Sequence, residues 1–145
     1  MGERWYVHVG ENVSSVLTRF AAVMANLLVV SLMWDEHYAI PCTLGSALVV
    51  FGVGEALMWR CNTAGELSRA GVFTSAAVVW FVTALAGMLP FLTIAWTVAI
   101  DPAVLTIPPS VRDATLRAFR SPVNAWFESM SAITGSGLDH DPLRK

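Results

Sequence analysis

The chain has 145 residues, of which 55% are hydrophobic and 14% charged, with a formal net charge of −2. Soluble domains carry about 25% charged residues, so the deficit points to a membrane protein, with lipid as its first partner. The small negative charge leaves no basic footprint for nucleic acid, and the length allows one domain or part of one.

A membrane-spanning helix needs about 20 mostly apolar residues, and three segments supply them. The first covers about 13–34 and contains "FAAVMANLLVVSLMW", with no charge after Arg19. Its apolar run exceeds the roughly 7–15 residues of a signal-peptide core, and no small-x-small cleavage site follows, so it reads as a retained span. The second covers about 39–59, "AIPCTLGSALVVFGVGEALMW". Its Gly45, Gly52 and Gly54 suit close helix packing. The third covers about 70–100 and holds Pro90. That is longer than a bilayer needs, so it tilts, kinks at the proline or projects.

Cys42 and Cys61 would sit roughly 28 Å apart along one helix at 1.5 Å per residue. A disulfide needs Cα atoms within about 7 Å, so two free thiols are expected. His8, His37 and His140 fall in expected loops without metal-ligand spacing, and no metal motif, nucleophile–base pair or paired carboxylate appears. Enzymatic activity and a resident cofactor are therefore not expected. Trp5, Trp34 and Trp59 near the segment ends fit aromatic belts. Asn26 and Ser31 in the first span are capable of hydrogen bonding another helix. Glu55 lies near the end of span two, where an interfacial ion pair with Arg60 is the expected arrangement.

Loop charge sets the orientation. The first turn, "DEHY", is acidic, whereas "RCNTAGELSR" carries Arg60 and Arg69. The positive-inside rule then places the N-terminus and the second loop in the cytoplasm. Span three exits outward. Residues 101–121 follow, bounded by "DP", "PPS" and "SP" breakers. Within them "PPSVRDATLRAF" reads either as an amphipathic helix or as a solvated connector. In the helical reading Ser110 caps it and Val111, Ala114, Leu116 and Phe119 face the membrane surface.

Ser121 and Pro122 then form a helix start. Trp126, Phe127, Met130 and Ile133 recur at helical spacing up to "TGSG". A helix over 122–133 is about 18 Å long, too short for a 30 Å hydrocarbon core. A re-entrant half-helix entering from outside is the natural reading. Its C-terminal end carries roughly half a negative charge. Glycines let successive carbonyls turn one way, and such carbonyls can replace the water around a dehydrated cation. The alternative is a helix cap followed by a flexible tail. The fold class expected is all-α integral membrane: three transmembrane helices plus one re-entrant pore helix and filter loop.

Two stretches resemble the membrane subunit of Trk/Ktr-type potassium uptake systems, the superfamily that includes the HKT transporters. "GELSRAGVFTSAAVVWFVTALAGMLPF", residues 65–91, looks like the family's first pore-lining helix. "SPVNAWFESMSAITGSGLD", residues 121–139, resembles its first pore loop, typically Asp-Ala-Leu-Phe-Glu-Ser-x-Ser-Gly-Phe-Thr-Thr-Thr-Gly. Asn124 stands for the usual Asp, Ala132 and Ile133 for Gly-Phe, and Gly135 and Ser136 for two threonines. Gly137 aligns with the filter glycine, which in the family goes with potassium selectivity.

The resemblance implies that Thr134, Gly135, Ser136 and Gly137 form part of a potassium filter, with Asn124 and Glu128 supporting it. Glu128 would brace the filter by bonding neighbouring backbone or add negative potential near the ion path. Potassium would be the cargo. A homodimer and a cytosolic nucleotide-binding regulatory subunit are the implied partners. Family members contain four helix–pore-loop–helix repeats. Residues 1–64 would correspond to two leading helices, and 65–145 to the first pore-lining helix, an extracytoplasmic connector and the first pore loop. The chain would then supply a quarter of a filter and not transport alone, as a fragment, a truncated frame or a split gene's first piece. A non-conducting membrane scaffold or assembly protein is the competing class.

Overall fold

A computed structural model describes residues 5–61, 69–101, 105, 107 and 114–135. These residues form helices α1 (Trp5–Met33), α2 (Ile40–Arg60), α3 (Arg69–Gly87), α4 (Leu89–Ile100), α5 (Ala114–Phe119) and α6 (Pro122–Thr134), with a 3-10 turn at His37–Ala39. No strand occurs among the described residues. Three helical stretches are long and apolar enough to cross a membrane: Tyr6–Met33, His37–Arg60 and Gly71–Ile100. This is the build of a membrane protein. Trp34 and Trp59, 74% and 87% exposed, stand at span ends as interfacial anchors do.

The first helix begins earlier than its apolar run. Val9, Val13, Leu17, Ala21 and Met24 recur every three or four residues, so one face continues through the more polar segment before residue 13. That face packs on Ala47 and Val50 of α2 and on Ala86 of α3. His8 therefore lies within α1 and not in a loop. In lipid, hydrocarbon gains nothing by leaving its solvent, so close approach decides such contacts. One such approach lies at Gly54, where an added Cβ would stand 2.7 Å from the Thr18 hydroxyl.

The turn between α1 and α2 depends on Asp35, which adopts φ 61°. Aspartate tolerates this left-handed conformation better than most residues. The Glu36 N–H then donates to the Ser31 carbonyl at 2.8 Å, satisfying a helix-end acceptor. His37 Nε2 lies 2.8 Å from the Asp35 carboxylate, which ties the turn together on its exposed side.

The third span is interrupted at Met88, between α3 and α4. Pro90 has no N–H to give the Ala86 carbonyl, and the ladder resumes with Leu92 N–H to Met88 O at 3.1 Å.

Beyond α4 the chain turns back. Leu105, Ile107 and Leu116 form a second cluster with Ala95 and Val98, and Phe119 packs on Phe91 with ring centroids 5.0 Å apart. This corrects the expectation that Leu116 and Phe119 face the membrane surface. Ala95 and Val98 of α4 cover Leu116, and Phe91 near the start of α4 covers Phe119, so both turn toward the protein. Ser110 and Val111 lie outside the described residues.

Glu55 makes no ion pair with Arg60. Its carboxylate instead accepts a hydrogen bond from Thr18 Oγ1 at 3.5 Å, because α1 crosses α2 there. Cys42 and Cys61 are free thiols, as their separation requires. Asn26 bonds within its own helix, to the Ala22 carbonyl at 2.9 Å.

Candidate functional site

The site expected from the sequence centres on α6. Its bounds, Pro122–Thr134, match the expected helix to within a residue. Ser121 is extended (φ −80°, ψ 119°) and its carbonyl accepts from Ala125 N–H at 3.1 Å, opening the helix. Its side chain makes no capping bond. Asn124 supplies the local tie instead: Nδ2 donates to the Ala118 carbonyl at 3.1 Å, binding the end of α5 to the first turn of α6. Any support that Asn124 gives to residues 134–137 therefore acts from the opposite end of the helix, roughly 16 Å away at 1.5 Å per residue.

The buried face of α6 is not the apolar stripe. Ala125, Ser129 and Ser131 are buried, whereas Phe127 is half-exposed and Trp126, Met130 and Ile133 are partly covered. Small residues let helix backbones approach closely in a membrane. Ser129 uses this to press on Gly87 of α3, where an added Cβ would overlap its hydroxyl. Trp126 packs on Phe81, ring centroids 5.8 Å apart. Ser129 Oγ and Trp126 Nε1 are both buried without a hydrogen-bond partner.

These contacts give the position of α6 along the third span. Measured from Gly71 at 1.5 Å per residue, Phe91, Phe81 and Gly87 lie roughly 30, 15 and 24 Å along it. Their partners are Phe119, Trp126 and Ser129 in turn. The chain thus runs toward Gly71 between α5 and Trp126, and from Trp126 to Ser129 it runs back roughly 9 Å along the same span.

At its end, Thr134 Oγ1 donates back to the Met130 carbonyl at 2.9 Å, a local helix bond. Gly135 takes φ 62°, ψ 17°, and its N–H donates to the Ala132 carbonyl at 3.3 Å. This is a left-handed helix cap, the conformation glycine adopts most cheaply. Ser136 and Gly137 lie outside the described residues. So does His140.

Glu128 is half-buried and makes no side-chain hydrogen bond among the described residues, so the expected bracing bond to neighbouring backbone is not formed. No group of three or more histidine, cysteine, aspartate or glutamate residues with metal-binding potential occurs among the described residues. Sequence reasoning missed the Ala125–Ser129 seam. The signal that could have found it was the small-residue spacing itself, matched to Gly87 at the close of α3. The chain matches no known protein family, curated protein or solved structure in comparison.

Proposed function

We propose that this chain contributes the first pore loop of a potassium uptake transporter, with α6 as the pore helix and residues 134–137 as its share of a carbonyl filter. The observation that carries the reading is the seat of α6 against the middle of the third span. A polar-ended helix of 13 residues meets the third span roughly 15–24 Å along its length. A helix end at membrane depth needs protein or water to satisfy its carbonyls. A filter loop uses such carbonyls to hold a dehydrated cation. The resemblance of residues 121–139 to the Trk/Ktr pore loop supports the assignment. It brings with it a homodimer, a cytosolic nucleotide-binding regulatory subunit and the need for further repeats to complete the pore.

A second reading, a non-conducting scaffold or assembly protein, is favoured by Gly135. Its left-handed geometry is that of an ordinary helix cap. The two readings separate by flux. In a transporter assembled with its remaining repeats, Gly137→Ser adds a Cβ and hydroxyl where the backbone approaches the ion. A selectivity change of about 1.4 kcal/mol is tenfold. Potassium preference over sodium is expected to fall about tenfold or more, with protein level little changed. Gly135→Thr restores the family's usual residue but forces a β-branched side chain to φ 62°. It is expected to cost about 1–2 kcal/mol of stability while leaving the flux ratio intact. Unchanged flux in both variants would assign the stretch to the scaffold reading.

The proposed orientation places the N-terminus in the cytoplasm of a cell-membrane protein. In a background lacking Cys42 and Cys61, a cysteine introduced at position 37 should react with an impermeant thiol reagent from outside, and one at position 64 should not. The reverse pattern would invert the topology and remove the entry of α6 from the outer side.

A further inference from the structure

Helices α1, α4, α5 and α6, with the turn before α2, enclose a groove of about 660 Å³. Phe20, Met24 and Leu27 form one wall, Phe91 and Ile94 another, and Ile133 closes the side at α6. Its mouth lies at the interfacial turn, where Glu36 and Tyr38 line it. Its floor lies at Gly87 and Ser129, against Phe20. From Phe20 to Ser31 along α1 the groove is roughly 17 Å deep at 1.5 Å per residue. Half of a hydrocarbon core is about 15 Å. The groove is therefore about as long as the hydrocarbon of one leaflet is thick.

Its lining and length choose among occupants. A hydrated cation would face almost wholly apolar walls, at a desolvation cost that nothing there offsets. A hydrocarbon chain matches both lining and length. Val23, Leu27 and Val30 on its open side are half-exposed, so the groove is continuous with the lipid-facing surface. At the mouth, Glu36 presents a carboxylate.

We propose that this groove binds one acyl chain of a membrane lipid whose headgroup carries an ammonium, seated against Glu36 and Tyr38. The Glu36 carboxylate attracts the ammonium and repels anionic headgroups, and Tyr38 offers a hydroxyl to the phosphate or ester oxygens. The site is independent of the transport reading, since it uses none of residues 134–137.

The test places the full chain in phosphatidylglycerol vesicles containing a trace of phosphatidylethanolamine with a photoreactive diazirine midway along one acyl chain. Peptides bearing Met24–Leu27 and Phe91–Ile94 are expected to carry about tenfold more label than the peptide bearing Val72 and Phe73, another lipid-facing patch. Leu27→Trp combined with Ile94→Trp fills the groove and is expected to reduce that labelling about tenfold. Labelling of Val72 and Phe73 should persist, which shows that the variant is inserted and intact. A phosphatidylglycerol probe should label the groove severalfold less. Equal labelling of groove and reference patch, or groove labelling that survives the double substitution with the reference patch still labelled, overturns the proposal. Equal labelling by both headgroups overturns the contact with Glu36.

Discussion

Leucine at position 54 is expected to drive α1 and α2 apart. A Cβ on Gly54 would stand 2.7 Å from Thr18 Oγ1, 3.2 Å from the Thr18 backbone nitrogen and 3.4 Å from Leu17 Cβ. The hydroxyl can rotate away, but the backbone nitrogen moves only if α1 moves. Overpacking of a tight contact costs about 1–3 kcal/mol, and a full leucine side chain belongs at the upper end of that range. The bond from Thr18 to Glu55 is lost with it, leaving a carboxylate at membrane depth without its donor. Gly45 and Gly52 are the internal controls, because nothing lies within 4 Å of a Cβ at either. Crosslinking between cysteines placed on facing positions of α1 and α2 should fall sharply in Gly54→Leu and stay near the parent value in Gly45→Leu and Gly52→Leu. Equal behaviour of all three would mean that α1 does not cross α2 at Gly54.

The contact between α3 and α6 should show strong coupling. Gly87→Ala places a methyl group on the Ser129 hydroxyl, with Phe20 Cζ already at 3.4 Å. That hydroxyl is buried and unpartnered. A buried unsatisfied polar group costs about 1–3 kcal/mol, so Ser129→Ala alone should be neutral or stabilising. Gly87→Ala alone should destabilise by about 1–3 kcal/mol, and Ser129→Ala should recover most of that loss. Thermal unfolding of the four proteins in detergent gives the coupling energy, expected at about 0.5–3 kcal/mol for residues in contact. Simple additivity would show that α6 does not rest on α3 at this point. The measurement bears on the proposed function because this contact sets where α6 rests along the third span.

The elements that chemistry dictates locally were readable from the chain. Uninterrupted apolar length placed three spans, since every backbone polar group in lipid must be bonded within a helix. Ser121-Pro122 and Gly135 bounded α6, because a proline at the first position and a left-handed glycine after the last are local requirements. Pro90 announced the interruption at Met88. What the sequence by itself could not decide was which face of each helix meets protein. In water an apolar stripe names the buried side, whereas in a bilayer both sides are apolar and the stripe loses its meaning. The Trp126–Ile133 spacing showed the helix but not its buried face, which is made by small residues, Ala125, Ser129 and Ser131. Gly45, Gly52 and Gly54 look alike in the sequence, yet only Gly54 meets another helix. Leu116 turned inward because the folded chain put the end of α4 beside it. The groove arises from the same cause: it belongs to no single segment and exists only once α1, α4, α5 and α6 stand together.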